Sequence, residues 1–404
     1  MTIDRRDLLI SAGGAVAAMA LTTRVMAQAA SSEAEAAAPV GGEMAPYEAL
    51  NNEQRVNVIN LRHIEEDARK ILPPESYAYI SSGSGDEWTL RENEAAFNRW
   101  VIDPDYLSGV KTPDLSTTLL GEKLSLPVFT APMGGQGRAH ALKEIPGVQG
   151  TGAAGTLYVT TTVSHTSLED VAEAATGPKW FQIYFPENRD FAREQLERAK
   201  AAGYTAIVIT VDSTTFSNRE RPTFLGVPSP NFPNGNVPQN PDIDPVMARV
   251  QKADLNWDDV AFCQEVTGLP VLVKGVLTPK LASECITRGC AGIWVSNHGG
   301  RGMDKLAPAI STLPRIADAV GGKVPIIIDS GFRRGQDVFQ ALALGADAVA
   351  LGRPILYGMA LGGSQGVQAV FQRIRTELQM VMQLAGVQDI DGITKDYLTL
   401  LSDL

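Results

Sequence analysis

Short apolar runs alternate with segments of helical character along most of the chain. From about residue 126 onward, each run is five or six residues long, and a stretch with charged residues and apolar residues at helical spacing follows it. The apolar runs cover residues 126–131, 156–161, 180–185, 206–211, 270–274, 292–296, 324–329 and 348–352. The helical stretches include 167–175, 190–202, 279–289 and 335–345. Gly203, Gly289 and Gly345 close three of them, where a left-handed helix cap is expected.

Eight strand–helix units in one series are typical of a closed parallel barrel. The alternative is an open doubly wound sheet, which carries a glycine-rich dinucleotide fingerprint after its first strand. The segment after the first predicted strand, Pro132-Met133-Gly134-Gly135-Gln136-Gly137, lacks that spacing, and no acidic residue ends the next strand. We therefore predict an α/β protein with a (β/α)8 TIM barrel over residues 126–404. Residues 46–125 are expected to form an N-terminal helical extension of the same domain.

One connection in this series is unusually long. Between Asp212 and Trp257 the chain is dense in proline, asparagine and glycine. A structureless insertion of this length is usually disordered or an active-site lid. It follows the carboxyl end of the fourth predicted strand, on the face where barrels carry their chemistry. We therefore predict a lid loop after strand 4.

The composition narrows the classes of partner. The chain has 404 residues, 44% of them hydrophobic and 20% charged, which is the balance of a soluble globular enzyme. Its net charge of −11 argues against nucleic acid as a partner, because no basic field is available to neutralise phosphates. Cys263, Cys285 and Cys290 show no metal-ligand spacing, so no metal site is predicted and we expect buried small hydrophobic residues there.

The N-terminus has the features of an export signal. Arg5-Arg6 precedes the modestly apolar stretch 8–21, and small residues around Ala27 offer a cleavage site. The paired arginines resemble a twin-arginine signal, which exports proteins already folded around a cofactor. We predict an export signal over 1–29, a disordered linker over 30–45 and a periplasmic location. The alternative is a membrane anchor formed by an uncleaved signal, although the apolar run is short for a spanning helix.

A base and an arginine follow the sixth predicted strand. The apolar segment 291–295 leads directly into Ser296-Asn297-His298-Gly299-Gly300-Arg301. Histidine can titrate near neutral pH, and arginine can bind a carboxylate through two parallel hydrogen bonds. The pair favours removal of a proton from an anionic small molecule. A turn with a packed histidine and a surface arginine is the alternative that these six residues leave open.

Polar side chains stand where the other strands end. In a barrel these ends meet at one mouth, whereas a pattern set by solubility alone would scatter them. The residues concerned are Gln182, Tyr184, Thr210, Asp212, Lys274, Ser296, His298, Arg301, Asp329, Arg333, Gly352 and Arg353. Their coincidence at six successive strand ends predicts an active site at the barrel mouth.

With these residues in place, the chain resembles the FMN-dependent L-2-hydroxy acid oxidase and dehydrogenase family, which includes glycolate oxidase, lactate oxidase and mandelate dehydrogenase. The resemblance runs from about Tyr47 to Leu404. Its motifs, in order, are Ser82-Gly83-Ser84-Gly85-Asp86-Glu87-Trp88-Thr89, Thr210-Val211-Asp212, Val273-Lys274-Gly275, the His298 motif above, Asp329-Ser330-Gly331-Phe332-Arg333-Arg334-Gly335 and Leu351-Gly352-Arg353-Pro354.

The resemblance implies roles for the residues that act on the substrate. His298 is expected to take a proton from the substrate, and Asp212 to orient the imidazole and stabilise its charged form. Lys274 is expected beside the flavin, where a cation stabilises negative charge on the reduced ring. The substrate-binding residues implied in this way, besides His298, are Tyr79, Tyr184, Arg219 and Arg301.

The resemblance also implies an FMN site. Its phosphate is expected at a glycine-rich turn with two arginines, which supplies the backbone N–H groups and charge that a dianion requires. The implied cofactor-binding residues are Pro132, Met133, Gly134, Thr161, Gln182, Thr210, Lys274, Ser296, Asp329, Ser330, Gly331, Phe332, Arg333, Gly352 and Arg353. Arg334 is left out, because a solvated helix start explains it equally well.

Two positions depart from the family pattern. Gly134 stands over the flavin where many oxidases of the family have alanine, and we expect it to affect reactivity with oxygen. Val163 stands where glycolate oxidase-like members have tryptophan, so a wider pocket is expected. Lactate or a longer substrate is therefore predicted in preference to glycolate.

The function predicted is oxidation of an L-2-hydroxy acid to the 2-keto acid, with electrons passed to oxygen or to a respiratory acceptor. Two alternatives stay open: a periplasmic hydroxy-acid-binding protein without turnover, and another FMN barrel enzyme such as an isomerase. The second does not explain His298 together with Arg219 and Arg301. The family often forms tetramers, so a homotetramer is expected.

Overall fold

A computed structural model describes residues 50–215, 217–225, 234–245 and 250–404. The predicted export signal and the predicted linker lie outside these residues. Within the described ranges, no helix is both long enough and apolar enough to cross a membrane.

The described part of the chain begins with helices and then alternates strands and helices. The α-helices are α1 (Leu61–Ile71), α2 (Pro74–Ser81), α3 (Trp88–Ala95), α4 (Ile145–Ala153), α5 (Leu168–Ala174), α6 (Arg189–Ala201), α7 (Glu220–Phe224), α8 (Trp257–Thr267), α9 (Pro279–Thr287), α10 (Ala309–Val320), α11 (Gly335–Ala343) and α12 (Arg353–Ala385). The strands are β1 (Trp100–Ile102), β2 (Thr117–Leu119), β3 (Glu122–Leu124), β4 (Val128–Thr130), β5 (Tyr158–Thr161), β6 (Lys179–Ile183), β7 (Ile207–Thr210), β8 (Val271–Val276), β9 (Gly292–Val295), β10 (Ile326–Ile328), β11 (Ala348–Leu351) and β12 (Leu398–Leu400).

Strands β4 to β11 form a closed parallel barrel, in the order β4-β5-β6-β7-β8-β9-β10-β11 and back to β4. Each strand overlaps one of the eight predicted apolar runs, and only β6 and β8 extend beyond theirs, by one and two residues. The barrel is therefore confirmed, and the doubly wound alternative is wrong. The three glycines expected as helix caps have φ values of 78°, 71° and 101°, in the left-handed region.

Large aromatic side chains fill the barrel interior. Phe129 from β4 lies against Trp180 and Trp294, with ring centroids 5.9 and 5.5 Å away and edge-to-face geometry. These residues belong to one buried apolar cluster with Val159, Val208 and other inward-facing strand residues. Because side chains alternate across a strand, a residue two positions further along points to the same side. The next inward layer therefore lies at the carboxyl ends of the strands.

The N-terminal extension is helical only in its first part. After α3, the chain forms β1, which pairs with β12 near the C-terminus, and then the antiparallel hairpin β2–β3. Leu119 and Leu124 of this hairpin pack into the interior cluster with Leu157 and Ala206, which stand at or just before the starts of β5 and β7. The hairpin thus closes the amino end of the barrel and leaves the opposite end open. Three-residue strands carry too little periodicity to be predicted from the sequence.

The long connection after β7 is attached to the barrel in its described parts. Helix α7 lies near α2, and its Arg221 bonds to Ser81 and pairs with Glu87. Further along, the buried Asn236 donates to the backbone oxygens of Thr161 and Thr162, at 3.2 and 3.3 Å. The described residues of this connection therefore include a short helix and a buried anchor. Its movement as a lid stays a prediction.

Candidate active site

The polar residues predicted at the strand ends form one layer above the aromatic core. Each follows an interior residue by two positions, as Gln182 follows Trp180 and Lys274 follows Leu272. The alternation of side chains along each strand thus accounts for their common direction. The members of this layer are Thr161, Gln182, Thr210, Lys274, Ser296, Asp329 and Gly352.

Lys274 is held in the layer by a buried hydrogen-bond network. Its Nζ donates to Ser296 Oγ at 2.9 Å and lies 3.3 Å from Asp329 Oδ2. Ser296 Oγ donates in turn to Asp329 Oδ1 at 2.6 Å, and Trp294 Nε1 donates to Asp329 Oδ2 at 3.0 Å. The ammonium is therefore fixed at the centre of the barrel mouth, as expected for a cation beside a flavin ring. The hydroxyl of Ser296 is fully used within the protein.

The neighbouring part of the layer retains an unused acceptor. Gln182 Nε2 donates to Thr210 Oγ1 at 2.9 Å. Its buried Oε1 has no hydrogen-bond partner in the described part of the chain. A buried amide oxygen is normally paired, so an unpaired one points to a missing donor. The ring N–H of a flavin is such a donor, and the residues present fit this cofactor: Gln182 and Lys274 would hold its polar edge.

His298 is placed between a carboxylate and a hydroxyl. Its Nδ1 lies 2.9 Å from Asp212 Oδ1, and its Nε2 lies 3.2 Å from the hydroxyl of Tyr184. The backbone of His298 has φ = 59°, a conformation that is uncommon for residues other than glycine and that clusters at functional sites. The following Gly299 and Gly300 are also left-handed, at 64° and 73°. This turn aims the imidazole at the mouth and confirms the predicted pairing with Asp212.

A glycine makes room for the Asp212 carboxylate. Gly275 has φ = 111°, and an added Cβ would lie 2.8 Å from Asp212 Cβ. Burial alone would raise the pKa of Asp212, but His298 and then Lys274 outweigh it, so this pKa is lowered and the group is a carboxylate. Its Oδ1 faces the imidazole, as required to hold the Nδ1–H tautomer and to stabilise an imidazolium. Nε2 is then the nitrogen that can take a proton from a substrate.

Arg219 and Arg301, both predicted to bind the substrate carboxylate, converge on Tyr79. Their guanidinium carbons lie 5.2 and 5.0 Å from the Tyr79 ring centroid. Arg301 Nη1 donates to the backbone oxygens of Tyr79, Ile80 and Ser82, which fixes the orientation of its planar fork. Burial, followed by repulsion from Arg219, lowers the pKa of Arg301 to about 9. A desolvated guanidinium beside a second one is suited to bind a substrate carboxylate.

The loop after β10 has the backbone shape of an anion site. Ser330 and Gly331 have φ values of 81° and 92°, and consecutive residues in such conformations turn their N–H groups toward one point. A Cβ on Gly331 would collide with the backbone oxygen of Asn93 in α3, so only glycine fits there. Gly352, which caps the start of α12, has only Met133 Sδ near its virtual Cβ, at 3.8 Å. These open backbone positions suit the FMN phosphate.

Three side chains of this region make contacts within the protein. Arg333 Nη2 pairs with Glu94 Oε1 of α3 at 2.9 Å. Arg353 donates to the backbone oxygens of Ile80, Gly299 and Ser82. Phe332 packs in the core against Phe97, with ring centroids 5.0 Å apart. Both guanidinium groups thus bond to the N-terminal extension, and Phe332 would approach the cofactor only with its backbone.

The loop after β4 brings Pro132, Met133 and Gly134 to the rim of the mouth, where they are half-buried. Gly134 faces Val163 closely, since an added Cβ would lie 2.7 Å from Val163 Cγ2 and 3.1 Å from Val163 O. The two departures from the family pattern are therefore in contact. Val163 can occupy its observed position because Gly134 has no methyl group.

Sequence reasoning missed several residues that shape the site. Arg138 places its guanidinium carbon 5.0 Å from the Tyr79 ring centroid. Glu94 pairs with Arg333, and Asn236 donates to the backbone oxygen of Thr161 at the end of β5. Of these residues, only Arg138 carried a sequence signal, because it is an arginine at the end of the glycine-rich segment after the first barrel strand. The partners of Glu94 and Asn236 are distant in the chain, so no local pattern marks them.

Comparisons with known proteins agree with this geometry. The model of a family described as FMN-dependent dehydrogenase matches residues 68–400. An L-lactate oxidase of Lentilactobacillus hilgardii is 42% identical over 86% of this chain and 96% of its own. Glycolate oxidase of Spinacia oleracea is 36% identical, over 85% and 96% respectively. The crystal structure of a lactate oxidase from Pediococcus acidilactici has a TM-score of 0.82 at 39% identity, covering 88% of this chain and 98% of that one.

These matches confirm the resemblance drawn from the motifs. When bound, FMN accepts the electrons that leave the substrate, while the residues of the chain bind the acid and hold its proton. The chain belongs to the FMN-dependent dehydrogenase family and is an FMN-dependent enzyme that oxidises 2-hydroxy acids.

Proposed function

We propose that the protein oxidises an L-2-hydroxy acid, of lactate size or larger, to the 2-keto acid. The substrate loses two electrons and two protons. His298 Nε2 takes one of these protons, and bound FMN would supply the acceptor for the two electrons and the remaining hydrogen. Arg219 and Arg301 hold the carboxylate during this step.

The position of His298 carries this proposal. The imidazole is held by Asp212 at 2.9 Å and faces the Tyr184 hydroxyl at 3.2 Å. Burial, followed by the nearby charge of Asp212, raises the pKa of Tyr184, so its hydroxyl stays protonated and can donate a hydrogen bond. An oriented base, a donor and two guanidinium groups within one mouth are what oxidation of a carboxylate-bearing alcohol requires. A binding protein without turnover would not need the base, and an isomerase would not need both arginines.

Val163 supports a substrate larger than glycolate. Its side chain is small, and its contact with Gly134 fixes it at one side of the mouth. A small side chain at this position would leave more room for the side chain of the hydroxy acid than the tryptophan of glycolate oxidase-like members.

We also propose that the protein is exported to the periplasm, and this location suggests its electron acceptor. Arg5-Arg6 and the small residues near Ala27 support delivery of the folded protein to the periplasm, beside the respiratory chain. A respiratory carrier or oxygen would reoxidise the flavin there. A homotetramer is the proposed assembly, by analogy with the family. Replacing Arg5 and Arg6 by lysine should retain the protein in the cytoplasm on cell fractionation, and unchanged fractionation would contradict the twin-arginine route.

Anaerobic mixing tests the central claim. The purified flavin-loaded protein is mixed with glycolate and with L-lactate, D-lactate, L-2-hydroxybutyrate and L-mandelate, and bleaching of the flavin absorbance is followed. The L-acids should bleach the flavin and D-lactate should not. His298→Gln should bind the acids but reduce the flavin far more slowly. Air is then admitted and peroxide measured, since fast recovery with peroxide indicates an oxidase and slow recovery indicates another acceptor. Failure of every L-2-hydroxy acid to bleach the flavin would refute the proposal.

A further inference from the structure

A pair of buried amides joins helix α3 to the turn that carries the base. Asn93 Nδ2 donates to Asn297 Oδ1 at 2.9 Å, and Asn297 Nδ2 donates to Asn93 Oδ1 at 2.7 Å. The two residues are 1% and 0% exposed. Asn297 directly precedes His298, whereas Asn93 belongs to the N-terminal extension, 204 residues earlier in the chain. The pair therefore connects the base turn to an element outside the barrel.

The amide of Asn297 has all its positions filled only when Asn93 is present. Its Nδ2 also donates to Ala307 O at 3.1 Å, and its Oδ1 also accepts from Gly300 N at 3.1 Å. An amide side chain has two donor and two acceptor positions, so all four are occupied. Loss of the Asn93 side chain would leave one buried donor position and one buried acceptor position unpaired, which is costly inside a protein. The orientation of Asn297 would then no longer be fixed from the side of α3.

The base turn depends on such contacts because its backbone is in an uncommon conformation. His298, Gly299 and Gly300 follow one another with φ values of 59°, 64° and 73°. A residue other than glycine is strained in this region, and the strain persists only where the surroundings hold it in place. The side-chain oxygens that accept from the N–H groups of these three residues belong to Ser296, Ser330 and Asn297. Asn93 holds the last of them.

Asn93 contacts the phosphate loop as well, but through its backbone. A Cβ on Gly331 would collide with Asn93 O, which belongs to the main chain of α3. The side chain of Asn93 thus bonds to the base turn, while its carbonyl oxygen limits the space at the phosphate loop. Because a side-chain substitution leaves the carbonyl oxygen in place, an experiment can separate the two contacts.

We propose that Asn93 is a positioning residue, which acts through Asn297 to hold His298 where its Nε2 can take the substrate proton. The proposal rests on the proposed function, in which His298 is the base. Loss of the Asn93 side chain should slow the removal of that proton. The binding of the acid and of FMN should change little, because the two arginines and the phosphate loop keep their own contacts.

Asn93→Ala tests this in the flavin-loaded protein. Anaerobic mixing with varied concentrations of the L-2-hydroxy acid that bleaches the flavin fastest gives the limiting reduction rate and the dissociation constant separately. We expect the limiting rate to fall at least tenfold. The dissociation constant and the flavin content should stay within threefold of those of the unmodified protein. A merely structural role would lower flavin content and stability without singling out the rate.

Combination with His298→Gln shows whether Asn93 acts through the base. If it does, the double variant Asn93→Ala/His298→Gln should reduce the flavin at most threefold more slowly than His298→Gln alone, because the base is already absent. Thr89→Val is the matched control. Thr89 is buried one helical turn before Asn93, and its hydroxyl bonds to the backbone of Leu306, beyond the base turn. This variant should lose thermal stability and keep the rate within threefold.

Three outcomes would overturn the proposal: an unchanged rate in Asn93→Ala, a further tenfold loss in the double variant, or an equal loss in Thr89→Val. If circular dichroism shows that Asn93→Ala does not fold, Asn93→Asp is measured by the same criteria, because it keeps the shape and the acceptor oxygen and removes the amide donor. Normal flavin reduction by His298→Gln would instead refute the proposed function itself.

Discussion

Replacing Asp212 by asparagine removes one charge from the site with little change in shape. The carboxylate lies 2.9 Å from His298 Nδ1, and the two side chains are 14% and 22% exposed. Asparagine can keep one hydrogen bond to the imidazole but cannot balance an imidazolium. The change should therefore slow the step in which His298 takes the proton and should affect substrate binding much less.

The size of the effect follows from the distance. Opposite charges whose centres are about 4 Å apart interact by about 4 kcal/mol at an effective dielectric constant of about 20. A loss of that size in the transition state corresponds to roughly a thousandfold lower rate. Partial exposure of both groups allows some screening by water, so we expect a reduction of about 100- to 1,000-fold.

The assay is single-turnover flavin reduction under anaerobic conditions, with the substrate concentration varied so that binding and rate are separated. Asp259→Asn is the matched control, because Asp259 is a buried carboxylate paired with Lys252 at 2.8 Å and caps α8 away from the mouth. It should lower the thermal stability without lowering the reduction rate. A rate within about threefold of the unmodified protein in Asp212→Asn would refute the role given to the carboxylate, and equal rate losses in both variants would indicate a folding defect instead.

Three further changes test other parts of the site. Gly134→Ala should alter the rate at which oxygen reoxidises the flavin, because the added Cβ would lie 2.7 Å from Val163 Cγ2. A second substitution, Val163→Ala, should relieve this crowding. An unchanged reoxidation rate in Gly134→Ala would contradict the role given to Gly134. Gly331→Ala should weaken FMN binding by at least tenfold, measured by the fluorescence of released flavin. Gly289→Ala is the control and should leave FMN binding unchanged, because Gly289 is also left-handed but an added Cβ there would have nothing within 4 Å. Burial raises the pKa of Asp337 to about 6, against the bonds from two backbone N–H groups that lower it. The folded protein then holds this proton more tightly than the unfolded chain. Its free energy of unfolding should therefore fall by about 2 kcal/mol between pH 4 and 6, and Asp337→Asn should abolish that part of the slope in denaturant titrations.

The barrel could be predicted because each of its units is defined locally. An apolar run such as 206–211 and the helical stretch before it carry their own periodicity, and the direction of Thr210 follows from alternation along β7. His298 and Lys274 were predictable for the same reason, since each stands at a strand end. The motif order then identified their chemistry.

The hydrogen-bond and ion-pair partners of long side chains could not be predicted in this way. Arg353 stands in the expected loop, yet its guanidinium bonds to backbone oxygens of Ile80 and Ser82, more than 270 residues earlier in the chain. Arg333 likewise pairs with Glu94. These contacts depend on how the N-terminal extension packs over the mouth, and neither composition nor periodicity describes that packing.

Ser296 connects the cofactor layer to the base. Its Oγ accepts from Lys274 Nζ at 2.9 Å and from His298 N at 3.0 Å, and it donates to Asp329 at 2.6 Å. A hydroxyl has one donor and two acceptor positions, so this oxygen is saturated. Its single rotamer therefore fixes both the ammonium at the barrel axis and the left-handed turn that carries the imidazole. Because one oxygen contacts both groups, a shift of the cation also shifts the base, which explains why a serine follows strand β9 two residues before the histidine.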